Sequence, residues 1–90
     1  MSSQTITMPP ITANGTYTQR NRAGSSVVVE GTFGGATVEQ RMAGTSRVLR
    51  TITTADDFWT HLENMEFVVT NATGTTDIDI SFQITSYPPK

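Results

Sequence analysis

Residues 27–41 read VVVEGTFGGATVEQR, and this stretch decides the fold that the sequence predicts. Side chains on a β-strand alternate between two faces. Val27, Val29 and Phe33 then share an apolar face, while Glu30 lies on the opposite, solvated face. After Gly34-Gly35 the alternation starts again, with Ala36, Val38, Gln40 and Met42 on one side. A glycine pair between two alternating runs is typical of a primed turn, so the stretch predicts a β-hairpin.

Further alternating runs predict strands added to this hairpin. Residues 63–71 place Met65, Phe67 and Val69 on one face. Residues 77–85 give the clearest alternation, with Ile78, Ile80, Phe82 and Ile84 inward and Asp77, Asp79, Ser81, Gln83 and Thr85 outward. Weaker strands are predicted at 16–20, after an Asn14-Gly15 turn, and at 46–53. Together these runs predict an all-β fold, a small antiparallel β-sandwich or jelly-roll-like barrel of five to seven strands.

One stretch reads as helical. Thr54 is a candidate N-cap, two aspartates follow it, and Phe58, Trp59 and Leu62 have helical spacing. We therefore expect at most one short helical turn near residues 55–61, which would carry an aromatic side chain over an open end of the sheet.

The domain organisation follows from the length and from two prolines. Residues 1–10 alternate and end at Pro9-Pro10, which predicts an N-terminal arm or an edge strand, because proline cannot continue a central strand. Residues 11–90 then form a single β-sandwich domain. Ninety residues bury only a thin core, and the chain has no cysteine with which to form a disulfide. Oligomerisation is the remaining way to add stability.

Composition argues against several partners. The net charge is −2, and the arginines are scattered along the sequence, which does not favour nucleic acid as a partner. The N-terminus lacks the features of a secretory signal, and no run approaches the roughly 20 apolar residues of a membrane span. We therefore expect a protein that is made soluble inside a cell and does not bind a membrane.

The sequence offers little support for catalysis. His61 is the one histidine, and no nucleophile motif accompanies it. Asp77 with Asp79, and Glu30 with Glu39, could in principle do acid/base work or hold calcium, but alternating acids on a solvated strand are more often there for solubility. Tyr17, Phe58, Trp59 and Tyr87 could line a sugar-binding platform, although a domain with so few aromatic residues needs most of them in its core. We therefore predict that the protein is not an enzyme, has no catalytic or metal site and binds no cofactor.

Strand edges supply the physical argument for function. Natural monomers usually protect exposed edges with lysines, inward-pointing charges or bulges. The one lysine of this chain is Lys90, outside every predicted strand. The sequence therefore favours a structural protein whose edges are covered by copies of itself or by a larger lattice.

Residues 30–38, EGTFGGATV, also resemble a hairpin found in small virion proteins of tailed bacteriophages. That hairpin reads Val-x-Gly-Thr-aromatic-Gly-Gly-Ala-Thr-Val, and a polar strand, an aromatic-bearing turn and a closing alternating strand follow it. The resemblance spans residues 26–86. It departs from the pattern at 42–47, where many relatives have an acidic-Gly turn followed by a tryptophan, whereas here the tryptophan is Trp59.

This resemblance implies a head decoration or cement protein on the capsid surface of a virion, made in the host cytoplasm. Its partners would be the major capsid protein and further copies of itself, with a homotrimer favoured. The resemblance brings no catalytic residues with it. Two alternatives stay open: a phage tail, fibre or baseplate module that binds host glycan, and a bacterial extracellular sugar-binding β-sandwich domain.

Overall fold

The structure is a computed structural model that describes residues 4–20, 24–61 and 64–84. These ranges hold eight β-strands and no helix: β1 (Gln4–Thr7), β2 (Gly15–Arg20), β3 (Ser25–Thr32), β4 (Thr37–Met42), β5 (Val48–Ile52), β6 (Asp56–Thr60), β7 (Asn64–Thr70) and β8 (Asp77–Ile84). Accordingly, the described ranges contain no helix that could span a membrane.

The strands form two antiparallel sheets of four. Sheet 1 has the order β1-β8-β3-β6 and sheet 2 the order β2-β7-β4-β5. The first strand pairs with the eighth, the second with the seventh, the third with the sixth and the fourth with the fifth. This is the strand order of a jelly roll, in which one long antiparallel ribbon is rolled into two facing sheets. The all-β prediction is confirmed, with eight strands rather than five to seven.

The predicted hairpin at residues 27–41 is wrong, although its turn forms. The Ala36 amide donates to the Phe33 carbonyl at 3.0 Å, and Gly34 and Gly35 have positive φ angles of 61° and 92°. However, β3 pairs with β6 and β8, whereas β4 pairs with β5 and β7. The glycine turn therefore carries the chain from sheet 1 to sheet 2. The two apolar faces meet across the core instead of lying side by side in one sheet.

The short helical turn predicted near residues 55–61 is also wrong, because residues 56–60 form strand β6. In the register of β6 with β3, Phe58 lies opposite Val27 and Asp56 lies opposite Val29. Asp56 is one of the two aspartates that suggested a helix start, and its carboxylate instead accepts a hydrogen bond from the Asp57 amide at 2.8 Å. Sheet pairing has overridden a local helix signal, as is common for aromatic and β-branched segments. Leu62 lies outside the described residues.

The core forms where the inward faces of the two sheets meet. Val27, Val29, Val38, Met65, Phe67, Val69, Ile78, Ile80 and Phe82 are all buried, as their alternation predicted. Phe67 of sheet 2 and Phe82 of sheet 1 contact each other with ring centroids 5.9 Å apart. The predictions for Thr85, Tyr87 and the side chain of Ile84 lie outside the described part of the chain.

The described part of the N-terminal segment belongs to the chain's own sandwich. Gln4–Thr7 pairs with β8 as the edge strand β1. The amides of Met8 and Ile11 then donate to the carbonyls of Ile80 and Ile78, both at 2.9 Å, and both side chains are buried. Residues 4–11 thus continue along β8, and Pro9-Pro10 lies between two backbone contacts.

Candidate functional site: a cleft between β5 and β6

Strands β5 and β6 are edge strands of different sheets, and an open cleft of about 330 Å³ lies between them. Its apolar lining comes from Met42, Leu49, Phe58 and Trp59, and its nitrogen-bearing side chains include Arg47, Arg50 and His61. The cleft therefore combines aromatic surface with positive charge.

Arg50 links the two sheets across this cleft. It lies opposite Gln40, which is buried, so its side chain points into the space between the sheets. Its guanidinium carbon lies 4.2 Å from the centre of the Phe58 ring, and Nη1 lies 3.3 Å from Asp56 Oδ2. The side chains of Arg50 and Asp56 are 41% and 37% exposed, so the ion pair contributes little, and the contact with the ring adds about 0.5–1 kcal/mol.

A β-bulge shapes the edge of sheet 2. Gln40 lies opposite Arg50, but the next residue, Arg41, lies opposite Val48, so Leu49 is the extra residue. Val48 and Leu49 are 42% and 38% exposed, and Met42 at the end of β4 is 37% exposed. We call these three residues the apolar corner.

The edges next to the cleft are better protected than the sequence argument assumed. Strand β5 has a bulge and an inward-pointing Arg50, and β6 has an inward-pointing Asp56. These are two of the devices that keep edge strands from pairing with other chains. Addition of a further strand at these two edges is therefore disfavoured.

Of the four aromatic residues considered for a sugar platform, the structure places Phe58 and Trp59 on one strand and Tyr17 at a distant edge. Tyr17 lies on β2, at the edge of sheet 2 away from β5, and its hydroxyl donates to the Ala13 carbonyl at 2.7 Å. Phe58 and Trp59 line the cleft, whereas Tyr87 lies outside the described residues. The indole of Trp59 lies close to Gly24, where an added Cβ would be 2.6 Å from the ring.

Charge is divided unequally between the two sheets. The strands of sheet 1 carry five carboxylates, Glu30, Asp56, Asp57, Asp77 and Asp79, and no arginine or lysine among their described residues. The strands of sheet 2 carry Arg20, Arg41 and Arg50 with two glutamates, Glu39 and Glu66.

Four of the sheet 1 carboxylates share its outer face. Asp57 lies opposite Val28, and Glu30 lies directly opposite Asp79, all on the side away from the buried valines, with Asp77 one position further along that face of β8. We call Glu30, Asp57, Asp77 and Asp79 the acidic face.

The carboxylates suggested for calcium are not assembled into a metal site. Glu39 lies on the opposite sheet from Glu30, where its carboxylate pairs with Arg41. No group of three or more histidine or carboxylate residues in the described ranges could hold a metal ion.

Comparison with known proteins identified no relative of this chain. No protein-family model matches the chain, and no similar curated protein or solved structure was found.

Proposed function

We propose that this chain is a structural virion protein that decorates or cements a bacteriophage capsid as a homo-oligomer, with a trimer favoured. The observation that carries the assembly is the apolar corner, because Met42, Val48 and Leu49 are the exposed large hydrophobic residues of the described chain and lie at the β5 edge of sheet 2. Met42 and Leu49 face the cleft there, whereas Val48 lies opposite Arg41 on the outer face. The capsid and the trimer rest on the resemblance of residues 26–86 to phage virion proteins.

Clustering is what makes these residues informative. Single exposed apolar side chains are normal on a protein surface, whereas a contiguous apolar patch marks an interaction site. Met42 and Leu49 also line the cleft with Phe58 and Trp59, so apolar surface continues from sheet 2 to the edge of sheet 1. Contact with a partner would remove this surface from water.

The fold is compatible with the proposal. Jelly rolls form viral capsid proteins, but they also form lectins and enzymes, so the fold alone does not define a function. A second candidate is a glycan-binding module of a phage tail, fibre or baseplate. The observation that favours it is the position of Trp59 beside Arg47 and His61 in one cleft.

Sedimentation of the purified protein, alone and mixed with undecorated capsids, tests the proposal. We expect an oligomer that binds capsids, and we expect Leu49→Ser to weaken both associations. Val68→Ser is the matched control, because Val68 is a half-buried residue on the outer face of sheet 2 at its central strand β7. A protein that is monomeric, does not bind capsids and binds an oligosaccharide from host cells would favour the glycan-binding module.

A further inference from the structure

We propose that copies of this chain join head to tail, with the cleft of one copy receiving the acidic face of the next. This inference rests on the proposed homo-oligomer and names the two surfaces that form it. The cleft contributes Arg47 and His61, and the acidic face contributes Glu30 and Asp79 at its centre, flanked by Asp57.

Positive charge in the cleft lacks a partner within the described chain. Two ion pairs link described residues, Arg41 with Glu39 and Arg50 with Asp56. Arg47 forms none with any described residue, and it is exposed. Arg47 is held in position by its backbone, since its amide donates to Thr45 Oγ1 at 3.3 Å. The guanidinium is thus free to bind a carboxylate from outside the chain.

Negative charge on the acidic face also lacks a partner. Glu30 and Asp79 lie directly opposite each other on neighbouring strands, and neither pairs with a described cation. Like charges at opposite positions in a sheet destabilise it. A cation supplied by another molecule would relieve this repulsion, and a second copy of the chain offers one in Arg47.

The cleft and the acidic face lie on adjacent sides of the sandwich. The cleft opens at the side of the sandwich between β5 and β6, whereas the acidic face covers the outside of sheet 1. Strand β6 borders both surfaces, with Phe58 toward the cleft and Asp57 toward the outside. A contact between two different surfaces closes into a ring when its rotation closes. Because the surfaces lie on adjacent sides, each added copy turns the assembly, and the contact gives a ring if that turn closes and a helical filament if it does not.

A second copy is a better occupant than an anionic sugar. A carboxylated sugar could bind the arginine and stack on Trp59, but it would leave the acidic face without a cation. A second copy neutralises both surfaces in one interface, and each copy presents one of each. Interfaces with complementary charge of this kind gain specificity and association rate.

Two charge reversals, made separately, test the interface. Arg47→Glu blocks the cleft, and Glu30→Lys blocks the acidic face. We expect each to raise the apparent dissociation constant of the oligomer at least about tenfold, as measured by sedimentation velocity. Glu30→Lys places a lysine opposite Asp79, so its monomer should melt at the same temperature as wild type or higher. Loss of assembly in that variant therefore cannot be assigned to unfolding.

Mixing the two variants is the decisive measurement. In a head-to-tail contact the intact cleft of Glu30→Lys can bind the intact acidic face of Arg47→Glu, and the two reversed surfaces are also opposite in charge. The mixture should therefore associate, although each variant alone is monomeric. Arg20→Glu, which reverses an exposed arginine on β2 away from the cleft, should leave the wild-type oligomer intact.

The outcomes separate this inference from the proposed function. A wild-type oligomer that survives both reversals, or variants whose mixture stays monomeric, would overturn the head-to-tail interface while leaving homo-oligomerisation standing. A wild-type monomer would overturn the homo-oligomer itself. A wild-type monomer that binds a uronic acid oligosaccharide, with binding lost in Arg47→Glu, would assign the cleft to a sugar and overturn the inference.

Discussion

The guanidinium of Arg50 lies over the ring of Phe58, 4.2 Å from its centre, although the two residues belong to different sheets. The sheets of a sandwich are held together mainly by their apolar inner faces. Here a cation adds a link at the open side, on the edge strands that bound the cleft.

We expect Arg50→Ala to destabilise the fold by about 0.5–1 kcal/mol, because the contact with Phe58 is partly exposed and the ion pair with Asp56 is weak. Urea unfolding measures the change. Thr51→Ala is the control, since Thr51 is exposed on the same strand and faces away from the cleft. Equal stability of the two variants would mean that Arg50 does not link the sheets.

The two turn glycines should differ in their tolerance of alanine. Both have positive φ, but a Cβ at Gly34 would lie 2.6 Å from Thr75 Oγ1, whereas a Cβ at Gly35 would have nothing within 4 Å. We expect Gly35→Ala to cost about 1–2 kcal/mol from backbone strain alone. Gly34→Ala should cost about 1–3 kcal/mol more, because the neighbouring turn must move.

Thermal melts of the two turn variants provide the comparison. The Gly34 carbonyl also accepts a hydrogen bond from Thr73 Oγ1 at 2.9 Å. Displacement of the turn that holds Thr73 and Thr75 should therefore disturb that bond. A Gly34→Ala variant as stable as Gly35→Ala would contradict the close contact between the two turns.

Opposite faces of β8 should respond oppositely to charge. Ile80 is fully buried, so Ile80→Asp places a carboxylate in the core and should unfold a domain whose total stability is about 5–15 kcal/mol. Asp79→Ser should be neutral or slightly stabilising, because it removes the repulsion with Glu30. Circular dichroism melts in the reverse order would show the facing of this strand to be wrong by one residue.

Fluorescence should report on the contact between Trp59 and Gly24, because Trp59 is the one tryptophan of the chain. A Cβ at Gly24 would lie 2.6 Å from the indole, so Gly24→Ala should push the ring away and shift its emission to longer wavelength as it gains solvent. Gly44→Ala is a matched control, since Gly44 also has positive φ but its Cβ would meet nothing within 4 Å. An unshifted spectrum in Gly24→Ala would contradict the packing of the indole on Gly24.

Alternation in the sequence predicted which side chains are buried, and it did so because facing depends on local geometry. Met65, Phe67 and Val69 fall on one face in any register of their strand. Strand partners depend on contacts between distant segments, which is why the hairpin at Gly34-Gly35 was wrong although the turn formed. The helical turn predicted near residues 55–61 was wrong for a related reason. Its capping signals are local, whereas the pairing of this segment with β3 is not.

The cleft could not be found from the sequence for the same physical reason. Arg50 and Phe58 are close in the sequence, but their contact depends on how the edges of two sheets are placed against each other. One signal was present: an arginine at an inward position of an alternating run, opposite Gln40 in the register. Such a residue must lie at an edge or in a polar site, because an unpaired charge is too costly in a core.

The pairing of first with eighth strand has a consequence for how the protein folds. Strand β8 is the last described strand in the chain and lies between β1 and β3 in sheet 1. Sheet 1 therefore cannot close until residues 77–84 have left the ribosome, and until then the long β3 strand has an open side. Folds dominated by such distant pairings fold slowly, and their partly folded chains are prone to aggregate. We therefore expect residues 4–84 to complete their fold only after β8 has been synthesised.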